Sequence, residues 1–337
     1  MAVEPEHRAW PPTSVEVRYG LGRFLWGQGL EIGPGHNPFP IPNDGVSVRY
    51  VDKWWPAENS VMFPELVDAA FPEPDIVADL DRDRLRAVAD ATVDFVIASH
   101  VLEHLAEPIG MLADIERVVR PGGVAIVLLP DRRRTFDHTR QPTDLEHLVR
   151  EFEAGIDTVD DAHIEEFLTG TGVQLADGDD RVEQIEHHRR RTVHVHCWHE
   201  VEFIEVIDHC IRHMGHRWEF LDGAVALDQG PPGHEFGWVM RKRPLDHVSS
   251  ATLADRFVGA WSDWYSHRSA LNGLVETLIV ERQRIDALGG QEHLAGLRSQ
   301  TEHLRAEVDR LTGELAATRA RRSVRLVDRL ARWVPRR

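Results

Sequence analysis

The stretch VDFVIASHVLEHLAEPIGMLADIERVVRPGGVAIVLL, residues 93–129, decides the fold. Its first six residues form an apolar run interrupted by Asp94 alone, so 93–98 reads as a strand buried on both faces. A helical segment through His104 and a second over 109–119 follow, and Pro121-Gly122-Gly123 stops that helix before a second apolar strand at 124–129. Two buried strands joined by a helical crossover make a βαβ unit, because parallel neighbours need a connection long enough to bring the chain back to the same end of the sheet.

The same rhythm extends in both directions. Upstream, GLEIGPG (29–35) is a short strand running into a glycine turn, a strand at 46–51 ends in Asp52, and a short one at 75–78 ends in Asp79. Downstream, residues 132–192 break the pattern: they are rich in Arg, Asp and His, weakly periodic, and read as an insertion over the carboxyl edge of the sheet. Regularity returns with a helix at 200–214, apolar at Val201, Phe203, Ile204, Ile207 and Ile211, and with strands at 217–221 and 236–240. The expected class is α/β, a mostly parallel seven-stranded sheet within residues 1–245 carrying an inserted lid at about 132–192.

Composition narrows the function classes. The chain has 337 residues, 42% hydrophobic, with 39 basic and 56 acidic side chains and a formal charge of −17. That apolar fraction is ordinary for a globular core and excludes a disordered chain. No run approaches the ~20 apolar residues of a membrane span, and the first residues lack the basic-then-apolar order of a signal peptide, so a cytoplasmic protein is expected. Cys197 and Cys210 have no CxxC spacing, and an acidic chain is not built for nucleic acid.

The charge is uneven. Residues 319–337 hold eight Arg against one Asp, so this tail carries +7 and residues 1–318 carry −24. Val324, Leu326, Val327, Leu330, Trp333 and Val334 fall on one half of a helix and Arg322, Arg325, Arg329 and Arg332 on the other, a basic amphipathic pattern suited to an anionic membrane face or an acidic partner. Ahead of it, beyond a linker at 246–270, Leu271, Leu274, Leu278, Ile285 and Leu288 fit one heptad seam and Leu294, Leu297, Leu304, Val308, Leu311 and Leu315 another. Residues 271–318 are expected to form a coiled coil or helical hairpin, and a homodimer through it.

Gly33 and Gly35 must be weighed against the dinucleotide fingerprint GxGxxG, whose third glycine is Pro38 in this chain. What remains is a glycine turn after the first strand and an acid, Asp52, placed to accept two ribose hydroxyls. With LEIGPGHNPF, YVDKW, VADL and VDFVIASHVLEHLAEPIGMLADIERVVRPGG in this order, residues 29–130 resemble the class I S-adenosylmethionine-dependent methyltransferases, which have a Rossmann-like sheet. The resemblance implies that Glu31 meets the methionine ammonium, that Gly33 and Gly35 leave room for the methionine portion, and that Asp52 holds the ribose with Lys53 and Trp54 flanking the adenosine. It further implies that Asp79 accepts from the adenine amino group, that Leu80 donates its backbone N–H, and that Ser99 and His100 contact the methionine side or the acceptor.

Methyl transfer to a hydroxyl also needs a proton acceptor, and a His suits that task. The candidates are His100, His104 and His138; His138, just past the fifth strand where open α/β sheets bind substrates, is the first choice, and His104 has an alternative structural reading as a ring bonded to a loop carbonyl. Asp131, Arg132, Asp137, His194 and His196 are expected to line the acceptor. In HVHCWH, His194 and His196 would share one face of a strand, but no second group of ligands completes a site, so no metal is assigned. The segment from 130 to 207 resembles a subgroup of these enzymes associated with bacterial cell-surface polysaccharide synthesis. That implies O-methylation of a sugar or glycan precursor; a small aromatic or lipid acceptor and a non-catalytic scaffold working through its coiled coil are the alternatives.

Overall fold

The computed structural model describes residues 14–66, 68–226, 233–246 and 248–288, with a few positions between His303 and Gly313, and side-chain detail extends to Ala270. Its centre is a seven-stranded sheet of order β3-β2-β1-β4-β5-β7-β6. The strands are β1 (Gln28–Ile32), β2 (Ser47–Asp52), β3 (Ile76–Val77), β4 (Val93–Ser99), β5 (Val119–Pro130), β6 (Trp218–Ala224) and β7 (Glu235–Lys242). The first five are parallel, and β7 runs antiparallel to both β5 and β6. This is the expected α/β class with its mostly parallel sheet. β4 is buried from Val93 to Ala98 because helices cover both faces of a central parallel strand.

The chain leaves β1 toward β2 and β3, then returns to the other side of β1 for β4 and β5. The carboxyl ends of β1 and β4 therefore flank a topological switch point, where open α/β sheets hold their ligands.

Two local details differ from the sequence expectation. Helix α3 (Pro108–Val118) ends before the Pro-Gly-Gly, which instead lies inside β5: Val119 pairs with Val93 and Val124 with Phe95, and the register shift between these pairs absorbs the extra residues. The segment through His104 is a single 3₁₀ turn, Leu102–His104, because Pro108 keeps Glu107 out of helical geometry, at φ −144°.

Residues 132–192 are more regular than their pattern suggests. They fold as two 3₁₀ turns and the helices α4 (Leu145–Ala154), α5 (Asp161–Gly170) and α6 (Gly178–Arg191), with α1 (Ser14–Gly22) and α2 (Pro56–Met62) preceding them in the chain. Asp144 and Asp160 cap α4 and α5 by accepting the N–H groups of His147 and His163. Ile164, Leu168, Ile185 and Val193 form a small core of their own. Few apolar residues sustain each helix, which is why periodicity alone left them unseen.

Helix α7 spans Glu200–Met214, as expected, and ends at Gly215 in left-handed geometry. Helix α8 runs from Ser250 to Leu288, so the expected linker at 246–270 is helical from Ser250 onward. The chain divides into two compact units, residues 1–258 and 259–337. The first heptad block lies on α8; most of the second block, and all of the basic tail at 319–337, lie outside the described residues. No helix among the described residues is long and apolar enough to cross a membrane.

Candidate active site

Four strand ends converge on one cavity of about 310 Å³. After β1 the chain turns through Gly33 and Gly35, at φ 57° and 53°. A Cβ on Gly33 would sit 2.9 Å from the Val101 side chain, so this turn is closed to other residues by both conformation and space. Behind it Glu31 is 2% exposed. One carboxylate oxygen accepts the Phe39 N–H at 2.8 Å and the other, Oε2, has no hydrogen-bond partner among the described residues. Burial pushes the Glu31 carboxyl up to about 7.

At the end of β2, Asp52 faces the cavity and accepts the Trp54 N–H at 3.3 Å; burial raises its carboxyl above the ordinary range. Lys53 reaches across to Asp79, 2.9 Å away, and lies over the Trp54 ring. Burial works to raise the Asp79 carboxyl, but the Lys53 bond and charge outweigh it and the net direction is down. Asp79 is thus an ionised acceptor already shared with Lys53, and its other oxygen takes the Asp81 N–H at 3.1 Å. Leu80 and Asp81 complete this wall.

The end of β4 supplies the most strained backbone of the site. His100 has φ 56°, a left-handed conformation uncommon for a residue with a Cβ. Its ring is held by Glu235 at 3.0 Å, and Glu235 is gripped in turn by Arg18 at 2.6 Å. Burial pushes Glu235 up, yet His100 and Arg18 together hold it near 2, so a fixed charge sits beneath the cavity floor. Ser99 Oγ is buried without a partner among the described residues. Glu103 is fully buried, neither of its oxygens is hydrogen bonded among the described residues, and burial carries its carboxyl to about 8, which leaves it protonated at neutral pH.

His104 stands beside it with Nδ1 2.9 Å from the Val193 carbonyl. A carbonyl can only accept, so Nδ1 carries the proton and Nε2 offers a lone pair. Burial, then the neighbouring His194, pull the His104 ring down to about 3, so it stays neutral. His104 lines the 310 Å³ cavity and also an adjoining one of about 190 Å³ between the strand ends and the inserted helices. His194 packs edge-on against His104 and bonds Asp137 at 2.6 Å, while Arg140 holds Asp137 from the other side at 2.7 Å.

The structure therefore brings together Gly33, Gly35, Asp52, Lys53, Trp54, Asp79, Leu80, His100 and His104 on one cavity, with Glu31 and Ser99 directly behind strand ends. Other expected residues lie apart. The His138 ring is exposed, bonded to the Thr135 carbonyl, and faces neither cavity. Asp131 is buried in an ion pair with Arg133, which also pairs with Glu200, and Arg132 pairs with Glu202, so Arg133 and Arg132 tie the end of β5 to α7. HVHCWH is split three ways: His194 meets Asp137, His196 turns toward α4 and α5, and His199 caps α7 by accepting the Val201 N–H. Sequence reasoning missed Arg18, Glu103, Glu235 and Arg191, the last of which lines the 310 Å³ cavity. A charged residue opening an apolar strand, as Glu235 opens EFGWVM, was the available signal.

These residues fit S-adenosylmethionine. The orphaned Oε2 of Glu31 is a buried acceptor lacking a cation, the glycine turn leaves space at the backbone, and Asp52 is an acceptor for vicinal hydroxyls. Residues 59–127, from α2 into β5, match the family model described as a methyltransferase domain. No curated protein matches the chain. Among solved structures the chain is similar to the CurJ carbon methyltransferase, at 12% identity and a TM-score of 0.34, over 66% of this chain and 50% of that one. It is similar to the trans-methyltransferase CalH in complex with SAH, at 15% identity and 0.34, over 68% and 55%. It is also similar to the PH0226 protein from Pyrococcus horikoshii OT3, at 14% identity and 0.38, over 72% and 100%. The chain thus spans about half the length of the first two.

Proposed function

We propose that the protein transfers a methyl group from S-adenosylmethionine to a hydroxyl of a sugar or glycan precursor, with His104 as general base. The observation that carries this reading is the position of His104 on the wall shared by the two adjoining cavities. Bound there, the cofactor supplies a methyl already activated on a sulfonium. The chain's residues then bind and align. Glu31 Oε2 takes an ammonium, Asp52 takes two ribose hydroxyls, and His104 Nε2, neutral in the free protein, accepts the proton of an acceptor hydroxyl as its oxygen attacks, the charge gained by the ring offsetting the sulfonium charge that the transfer removes. The second cavity is lined by Trp54, Asp157, Thr158, Arg189 and Arg190, an aromatic face among polar groups that suits a hydroxyl-rich ring.

The test is incubation of the protein with methyl-labelled S-adenosylmethionine and separated sugar-nucleotide, glycolipid, aromatic and lipid fractions of its source cells. Label recovered as a sugar methyl ether is the expected result. Label confined to the aromatic or lipid fraction overturns the acceptor, and bound cofactor with no label anywhere favours a scaffold. The +7 charge of residues 319–337 supports recruitment to an anionic membrane face, where such precursors are built. Equal sedimentation with anionic vesicles, with and without those residues, contradicts that part.

A further inference from the structure

We propose that His147, Glu151, His163 and His196 bind one divalent transition-metal ion of the zinc type. This cluster lies on the inserted helices, and the donor atoms of all four residues are within 4.8 Å of one another. His147 and Glu151 are four residues apart on one face of α4, His163 stands in the first turn of α5, and His196 comes from the extended segment after α6.

The distances suit a shared central ion. Nε2 of His147 and Nε2 of His163 are 3.0 Å apart, and each is 3.0 Å from the same oxygen, Glu151 Oε1. If both nitrogens donate to that oxygen, their hydrogens face one another. If one donates to the other, the second turns a lone pair toward the carboxylate. A cation at the centre satisfies all three edges. His196 adds an independent sign: it is 0% exposed, its one polar neighbour on the backbone is Ala106, and Nε2 points to Glu151 Oε2 from 3.5 Å without a hydrogen bond of good geometry among the described residues. A fully buried imidazole that leaves a ring nitrogen unpaired is rare without a ligand.

The three rings meet pairwise at 65°, 68° and 78° with centroids 5.2–5.7 Å apart, fanned about a common centre. Tetrahedral zinc with bonds of ~2.1 Å requires donor–donor edges of ~3.4 Å; three edges here are 3.0 Å and the fourth is 3.5 Å, so the donors need to spread by a few tenths of an ångström to seat it. Asp160 accepts from His163 Nδ1 at 2.8 Å, the outer carboxylate that fixes a ligating ring and its tautomer. Three imidazoles select a transition metal over calcium or magnesium, which take oxygen ligands. Four protein donors close a tetrahedral shell, so the ion is structural: it ties α4, α5 and the 193–198 segment together. The His196 N–H donates to the Glu103 carbonyl at 3.0 Å, so the clamp reaches the turn that carries His104.

The experiment uses untagged full-length protein, stripped by chelation and titrated calorimetrically with zinc chloride, with cobalt chloride as a spectroscopic probe. The expected result is one ion per chain, the intense visible absorption of tetrahedral cobalt, and a melting temperature that falls on chelation and recovers with zinc. H163Q is expected to lose binding at least ~100-fold, while D160N, which keeps all four donors, weakens it ~10-fold. H187Q, an exposed His on α6, leaves it unchanged. Folded wild-type protein that binds neither metal overturns the proposal. So does binding that H163Q spares and H194Q abolishes, since that assigns the ion to Glu103, His104 and His194.

Discussion

The carboxyl edge of the sheet and the inserted helices adjoin one another, yet they are built on different principles. At the sheet edge, function comes from backbone: Gly33, Gly35 and His100 hold left-handed conformations, and each acid stands at the end of its own strand. In the insertion, function comes from side chains that meet across helices, as His147, Glu151, His163 and His196 do. The first kind of site is written in consecutive residues. The second exists only once α4, α5 and the 193–198 segment have packed.

The largest effect that would break this comparison concerns the residue at the junction. His104→Gln is expected to lower the methyl-transfer rate 10²- to 10⁴-fold while cofactor affinity, read by calorimetry, changes less than about threefold. His138→Gln, exposed and outside both cavities, is expected to leave rate and affinity alone. If His138→Gln instead removes the activity, the base does not lie at the shared wall.

Next in size is the stability of the insertion. Arg140 is buried, pairs with Asp137 at 2.7 Å and Glu166 at 2.5 Å, and donates to the carbonyls of His194 and Val195. Arg140→Ala leaves Asp137 buried without its cation and is expected to cost about 3–5 kcal/mol in denaturant unfolding. Arg181→Ala, which breaks a surface pair with Glu165, should leave the unfolding midpoint nearly unchanged. Equal losses would show that the insertion is not held by its buried pairs.

On the sheet edge, Gly33→Val combines an unfavourable left-handed backbone with a contact against Val101, and cofactor affinity is expected to fall about 100-fold with little change in folding. The smallest effect sharpens the role of Glu31. Burial sets its carboxyl near 7 in the free protein, so it is protonated below that pH and ionised above. A cationic ligand needs the ionised form. Affinity for S-adenosylmethionine should therefore decline by about tenfold per pH unit below 7 and level off above it, and Glu31→Gln should flatten the profile.

Much of the sheet edge was legible because each of its signals is local. A glycine turn after an apolar run, and acids closing the next two strands, marked Gly33, Asp52 and Asp79, and the resemblance these blocks carry added Glu31. What could not be read is pairing between distant residues. Nothing in HVHCWH tells that His194 belongs to Asp137 and His196 to Glu151, since adjacent alternate residues of an extended segment can be turned to different partners by a single bend. Arg18 and Glu235 are 217 positions apart and meet only because α1 packs beside the β6–β7 hairpin. Asp131 and Arg132 looked like ligand contacts because charge beyond a strand end is a shared feature of sites and of ion pairs that fasten helices.

The claim on which the rest depends is that the cavity at the strand ends is built for S-adenosylmethionine. Isothermal titration of the full-length protein with S-adenosylmethionine and, separately, with NAD tests it directly. The account predicts one site per chain for the former, abolished by Asp52→Ala, and no heat with the latter. Binding of NAD at that cavity, or silence with S-adenosylmethionine from a folded protein, would contradict it.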